Sequence, residues 1–278
     1  MPLRIVQSKQ NARLKELRRA LTFPGREGRG LAGIEGPNLI EEALNAGLFI
    51  PTVFAAQGYE HLLEQLPIPP ETEILLMKRE LLDFALVTES PQPVAALVDL
   101  PDWTWAHVLT PGHNPTPLVV VLAGIQDPGN LGTIMRSAEA FGADGVIALP
   151  GTVCGWNPKA IRASAGSMFR LPLINAGVPE CFTNLREAGI RILSSTARAA
   201  EPVDLVDLTI PVAIVFGNEG NGVPESIATH ADEPVTISCP GAVESLNAAV
   251  AVSVMLYEAS RQRREQEVKL LGRTGAKR

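Results

Sequence analysis

Three short stretches gather the side chains of this sequence that could do chemistry. The first is Asp127-Pro128-Gly129-Asn130-Leu131-Gly132, followed by Thr133-Ile134-Met135-Arg136. Continued as a helix, it puts Ile134, Ala138 and Phe141 on one face and Arg136 roughly opposite. Arg136 is then either an ordinary exposed arginine or a planar fork offered to a phosphate. The second is Gly217-Asn218-Glu219-Gly220-Asn221-Gly222, whose three glycines let backbone approach a ligand and expose amides. Glu219 is an odd partner for a phosphate, which points to a ligand with donors or positive charge. The third runs from Ser238-Cys239-Pro240-Gly241 through Ser245-Leu246-Asn247 into an apolar segment. Ser245 has a plain reading as the N-cap of the helix that follows. Asn247, beside so many apolar residues, needs hydrogen-bond partners if it is buried.

Each stretch needs a rigid element to aim it. From residue 118 the pattern is regular. The apolar run 119–125 reads as a strand buried on both faces, followed by a loop and a helix to about Gly142. Strands are expected at 146–149, 171–174, 190–194, 212–216 and 234–237, with helices near 158–168 and 179–188 between them. Pro224 is expected to open a further helix. Strands alternating with helices imply a parallel sheet covered on both faces. A last helix over 246–262 is apolar on every side until Glu258, which suits a domain core or a subunit interface.

The N-terminal part reads as a smaller α/β unit. Residues 3–20 predict a basic amphipathic helix carrying Lys9, Arg13, Lys15, Arg18 and Arg19 among Leu14, Leu17 and Leu21. A helix at 38–47 and strands at 49–55, 74–77 and 94–100 follow. Residues 101–117 hold four prolines and read as a linker. The expected division is therefore 1–100, the linker 101–117, a second domain 118–265 and a basic tail 266–278.

Charge is uneven along the chain. The net formal charge is −6, yet residues 1–30 carry eight Lys and Arg against two acidic residues, and residues 261–278 carry seven against two. Basic ends on an acidic chain either steer RNA, if they share a face, or are simply solvated. The three cysteines, Cys154, Cys181 and Cys239, form no CxxC, and the four histidines show no ligand spacing, so no metal is expected. Each cysteine reads as a small buried apolar residue. No apolar run is long enough to span a bilayer and no secretory signal opens the chain, which reads as soluble and cytoplasmic.

The blocks NLGTIMRSAEAFG (130–142), IVFGNEGNGVP (214–224) and ISCPGAVESLNAAVAVSV (237–254) resemble, in order and spacing, the three motifs of the SpoU/TrmH branch of the SPOUT RNA methyltransferases. Residues 4–55 are similar, more loosely, to that family's accessory domain of ribosomal L30e type. The resemblance implies an α/β chain: a SPOUT-type trefoil-knotted parallel sheet in the C-terminal part and a smaller L30e-like RNA-binding domain before it. It implies S-adenosylmethionine as cofactor, held by Ser195, Thr196 and Ala197, by Gly217, Asn218, Glu219 and Gly220, by Ile237, Ser238 and Cys239, and by Leu246, Asn247 and Ala248. It implies transfer of the methyl group to a ribose 2′-hydroxyl of RNA, rRNA before tRNA, with Arg136, Asn130, Glu219, Ser245 and Asn247 at the reaction centre. Arg136 would act there as base or as phosphate clamp. Many relatives carry a Met or similar residue where this chain has Cys239. A homodimer on the 246–262 helix is implied too. Two other readings compete. A non-catalytic RNA-binding protein on a decayed fold would be expected to have lost Arg136. A dinucleotide-binding oxidoreductase would show GxGxxG after its first strand, where this chain has DPGNLG.

Overall fold

The computed structural model describes residues 3–23, 30–112, 116–198, 200–218, 220–243 and 245–275. They form two compact units, Met1–Asp102 with Cys154–Arg170, and Trp103–Val153 with Leu171–Arg278. The helix expected at 158–168 thus groups with the N-terminal unit rather than with its neighbours in sequence.

The first unit runs β1 (Leu3–Val6), α1 (Ala12–Thr22), β2 (Leu31–Glu35), α2 (Pro37–Asn45), β3 (Thr52–Ala56), α3 (His61–Glu64), β4 (Glu73–Met77), α4 (Arg79–Ala85) and β5 (Val94–Asp99). The expected helix over 3–20 is half correct. Leu3–Val6 pairs in parallel with β4, Leu3 opposite Ile74 and Val6 opposite Met77, and the helix begins only at Ala12. Mixed charged and apolar residues imitate a helical stripe there, but β-branched Ile5 and Val6 suit a sheet edge. Asn11 then stops the strand's continuation by accepting the Leu14 amide at 3.2 Å as N-cap. α1 buries Leu14, Leu17, Ala20 and Leu21, and each leucine contributes about 2 kcal/mol of apolar burial. The sheet order is β1-β4-β3-β5-β2, with β5 antiparallel to both neighbours.

The second unit begins inside the expected linker, with α5 (Trp105–Leu109). Val108 of that helix sits so close to Gly145 that a Cβ there would meet it at 2.9 Å. Then follow β6 (Leu118–Ala123), α6 (Pro128–Ala140) and β7 (Gly145–Ala148). After α7 (Pro158–Ser164) of the first unit come β8 (Leu173–Asn175), α8 (Val178–Glu187), β9 (Arg191–Ser195), β10 (Glu201–Pro202), β11 (Val212–Gly217), α9 (Glu225–Ala228), β12 (Glu233–Thr236) and α10 (Ala248–Gly275). Seven parallel strands lie in the order β10-β12-β9-β11-β6-β7-β8. β6 and β11 are buried along their whole length, as continuous apolar runs in a two-faced sheet require.

α10 is longer than expected, continuing to Gly275, and its apolar surface is covered on one side only. Val252, Met255, Leu256 and Ala259 are buried, whereas Val250 (47%), Val254 (38%) and Tyr257 (50%) are open to solvent. These three residues, with Thr133, Ala249 and Ser253, line a groove of about 270 Å³. Arg263 is buried at 5% exposure, and its guanidinium donates to the carbonyls of Leu208, Thr116, Pro117 and Ile210. Of the cysteines only Cys181 is buried; Cys154 and Cys239 are exposed, contrary to the reading that all three pack inside. Burial, with Glu180 beside it, pushes the Cys181 thiol up to about 12. Among the described residues no helix is long and apolar enough to cross a membrane.

Candidate active site

Parallel pairing gathers the chemistry. Ala123 at the end of β6 lies opposite Gly217 at the end of β11; Val215 of β11 lies opposite Ser194 of β9, and Ser195 opposite Val235 of β12. The segments leaving these four strands therefore emerge at one end of the sheet. They are Gly124–Asn130, Gly217–Gly222, Ser195–Ala197 and Ile237–Asn247, and carboxyl ends of parallel strands are where open α/β sheets bind ligands.

The first segment turns at Gly124, whose φ of +82° suits glycine, and enters α6 at Pro128, three residues earlier than a loop over 127–130 would. The Asp127 carboxylate caps the helix by accepting the Asn130 amide at 2.9 Å, and Pro128 takes the first-turn position that lacks an intrahelical donor role. Asn130 thus has its backbone fixed and its side chain at the helix start. Its Oδ1 accepts from Asn247 Nδ2 at 3.2 Å, a contact across 117 positions of sequence. Arg136 is exposed nearly two turns on, while Ile134 and Ala138 are buried on the other face. Phe141 ends the helix and packs edge-on against Tyr257, with ring centroids 5.8 Å apart. Arg136 makes no hydrogen bond or ion pair among the described residues, so its fork is open to a ligand.

The glycine-rich loop works differently from its composition. A Cβ on Gly217 would lie 1.8 Å from the Gly222 carbonyl carbon, so only glycine lets the loop fold back into its Asn218–Gly222 bridge. The Asn218 side chain accepts the amides of Gly220 and Asn221, both at 2.9 Å, and its carbonyl accepts that of Gly222. The amides of Gly220, Asn221 and Gly222, expected to face a ligand, are consumed inside the turn. Glu219 lies outside the described residues. Pro224 is the N-cap of the short α9 rather than its first residue.

In the third segment Asn247, not Ser245, caps α10: its Oδ1 accepts the amides of Ala249 at 2.9 Å and Val250 at 3.3 Å. Asn247 is exposed and satisfied on both sides of its amide, which answers the expectation of a buried group seeking partners. Ser238, Cys239 and Ser245 are exposed, Ile237 and Leu246 are half-buried, and Ala248 is buried. Among the described residues the amides of Ser238, Cys239, Gly241 and Ala242 donate to no backbone carbonyl. In the β9 segment Ser195 and Thr196 are half-buried and Ala197 is exposed, and Thr196 donates its amide to Val235 at 2.9 Å. Free peptide groups beside two half-buried apolar side chains suit a flat heteroaromatic ligand with hydrogen-bonding edges, such as adenine. Among the described residues no group of three or more His, Cys, Asp or Glu is placed to hold a metal ion.

The structure therefore joins Asn130 to Asn247 and brings the four loops to one end of the sheet; Arg136 and Ser245 stand in the same segments without touching that pair. Residues that the sequence reasoning passed over hold the arrangement. Ser137 Oγ and Ser253 Oγ bond at 2.7 Å and tie α6 to α10. A lone serine inside the apolar stretch 248–257 was the visible signal. Asp144 accepts the amides of Leu118 at 2.8 Å and Gly112 at 2.6 Å, fixing the entry to β6.

Comparison with known proteins agrees with this geometry. The SpoU rRNA Methylase family matches residues 117–257. An uncharacterized tRNA/rRNA methyltransferase of Synechocystis sp. is 33% identical, over 92% of this chain and 93% of its own. The 23S rRNA (guanosine(2553)-2'-O)-methyltransferase of Bacillus subtilis is 28% identical over 91% of this chain and 97% of its own. The solved structure of the SpoU methyltransferase AviRb from Streptomyces viridochromogenes, in complex with the cofactor AdoMet, superposes with a TM-score of 0.76 at 29% identity, covering 91% of this chain and 98% of that one. The chain belongs to the SpoU rRNA methylase family.

Proposed function

We infer that this chain is an RNA ribose 2′-O-methyltransferase that uses S-adenosylmethionine and acts on 23S rRNA. The observation that carries the reading is the convergence of all three motif loops at the carboxyl ends of β6, β11 and β12, with Asn130 and Asn247 bonded across it. The 23S assignment rests on the name of the Bacillus subtilis relative and on the basic residues of the N-terminal unit.

S-adenosylmethionine supplies a sulfonium-activated methyl group when bound. Ser195–Ala197, Gly217–Gly220, Ile237–Cys239 and Leu246–Ala248 would hold it, and the unused amides of the third segment and the half-buried Ile237 and Leu246 fit its adenine. Arg136 would grip an RNA phosphate and lower the acidity barrier of the neighbouring 2′-hydroxyl electrostatically. A guanidinium stays protonated throughout the physiological range, which favours the clamp over a base. Asn130 and Asn247, already oriented by each other and by the cap of α10, would align the ribose; Ser245 and Glu219 would complete the polar set. Alignment alone can contribute several kcal/mol to such a step.

The remaining features follow the same reading. A SPOUT-type knot is supported by the return of the chain after β12 to pack α10 on α6. The N-terminal unit, an L30e-like domain in this reading, would carry RNA affinity through Lys9, Arg13, Lys15, Arg18 and Arg19. The open stripe Val250–Val254–Tyr257 would be closed by a second copy of the chain, and a bacterial rRNA enzyme of this kind works in the cytoplasm.

Arg136→Ala tests the reading. The side chain is exposed and bonded to nothing described, so stability should change by no more than about 0.5 kcal/mol. Single-turnover transfer from radiolabelled S-adenosylmethionine to a 23S rRNA transcript should fall roughly 100-fold or more. Calorimetric cofactor affinity should stay within about tenfold, because other loops hold the cofactor. Transfer at the wild-type rate would return Arg136 to the status of an ordinary surface residue. Transfer to tRNA but not to the 23S transcript would redirect the substrate.

A further inference from the structure

The core of the N-terminal unit does not explain Phe84. α4 buries Leu81, Leu82 and Ala85, whereas Phe84 stands off that face and is 44% exposed. A phenyl ring left in water gains nothing from burial, and exposed aromatics of this kind mark contact surfaces. Two cations flank the ring. Lys9 Nζ lies 4.2 Å from its centroid and the Arg18 guanidinium carbon 4.4 Å, both inside the roughly 6 Å reach of a cation–π contact. Arg18 also donates to the Phe84 carbonyl at 2.6 Å, which fixes it beside α4.

The charges decide what the ring is for. Arg13 is spent on Glu16 and Glu73, and Arg79, near another exposed ring, Tyr59, is spent on Asp83. Among the described residues neither Lys9 nor Arg18 pairs with a carboxylate. Two cations without a carboxylate partner therefore lie over one partly exposed ring. The parallel register accounts for their meeting: Val6 ends β1 opposite Met77 at the end of β4, so the Lys9 turn and α4 leave the sheet at the same end. An acidic peptide would satisfy the cations and leave the ring unused. An unpaired nucleotide satisfies both, with a base face for the ring and phosphates on either side. A duplex hides its base faces and would use the cations alone.

We propose that Phe84 is a stacking platform for an unpaired base of the RNA substrate, with Arg18 and Lys9 taking the flanking phosphates. This rests on the RNA reading above. Arg18 keeps its place beside the ring, and Lys9, on its flexible stem, moves from the ring to a phosphate as the base slides on.

The test uses the full chain and a short single-stranded oligoribonucleotide carrying one 2-aminopurine, free or annealed to its complement. Phe84→Leu keeps the apolar bulk and every charge but removes the ring. It should weaken single-strand binding by roughly 5-fold or more and remove the quenching of 2-aminopurine, while duplex binding and the salt slope stay unchanged. Phe84→Trp should restore both binding and quenching. Lys9→Gln should lower the magnitude of the salt slope by about 0.7, the contribution of one phosphate on a single strand. A merely structural ring would shift melting temperature but neither base-specific quenching nor the single-strand preference. Single-strand affinity for Phe84→Leu within twofold of wild type, or equal weakening on the duplex, overturns the platform and leaves the methyltransferase reading intact. If the wild-type chain binds neither probe and methylates no RNA, the RNA reading itself falls.

Discussion

Replacing Arg263 by methionine measures how far the C-terminal unit depends on a clamp in the middle of α10. The guanidinium donates through Nε to Leu208 at 2.9 Å, through Nη1 to Thr116 at 2.6 Å, and through Nη2 to Pro117 and Ile210, both at 3.0 Å. Those carbonyls belong to the turns that feed β6 and β11, the two strands whose far ends bear the first and second motifs. A bond from a charged donor is worth about 1.5–3 kcal/mol, and four of them outweigh the several kcal/mol that dehydrating a buried cation costs. That cost shows in the lowering of the Arg263 pKa by burial, with Asp144 and Asp207 opposing it. Methionine fills the volume of the stem and leaves four carbonyls without their donor, so unfolding of this unit should become easier by about 3–5 kcal/mol. The chain has two units, and one transition cannot be assumed. A Trp156→Phe background leaves Trp103 and Trp105, both packed on the core of the C-terminal unit, to report urea unfolding of that unit alone. Arg263→Lys should recover part of the loss, since an ammonium reaches fewer of the four acceptors. A midpoint shift worth less than about 1 kcal/mol at unchanged m-value would mean that water replaces the guanidinium freely and that the clamp does not hold α10.

Gly217→Ala places a Cβ 1.8 Å from the Gly222 backbone, and the Asn218–Gly222 bridge cannot form around it. Thermal unfolding should register about 1–3 kcal/mol of overpacking, and calorimetry a cofactor affinity lowered by roughly tenfold; unchanged values in both would show a loop able to open without consequence. Val254→Arg puts a charge in the middle of the open stripe between Val250 and Tyr257. Light scattering should give a dimer for the native chain at micromolar concentration and a monomer for the variant, and a native monomer would refute the second-copy reading of α10.

What could be read from the amino-acid order depended on whether the cause was local. β6 and β11 were visible because only a strand covered on both faces tolerates runs as apolar as 119–125 and 212–216. The helix after β6 was visible, but its start was not: Asp127-Pro128-Gly129-Asn130 reads as a loop, whereas Asp127 caps α6 and Pro128 opens it. The placing of the motif loops was visible as well, since each follows directly on a strand, the first two on such buried ones, and parallel pairing turns three segments that are far apart in sequence into one end of a sheet. What escaped had causes elsewhere in the chain. β1 exists because β4 lies beside it; by itself Arg4–Val6 looks like the opening of a basic helix. Residues 154–170 group with the N-terminal unit although the strands on either side of them belong to the other. Arg263 sits in a basic run that reads as a solvated tail, and nothing near it in sequence announces four carbonyls from residues 116–117 and 208–210. The glycine-rich loop shows the same limit at short range. Its composition promised amides for a ligand, but Asn218 takes those of Gly220, Asn221 and Gly222, whereas in the loop after β12 the amides of Ser238, Cys239, Gly241 and Ala242 meet no backbone carbonyl among the described residues. A cofactor held there would touch the segment that ends in Asn247, and its binding would bear directly on the Asn130–Asn247 pair.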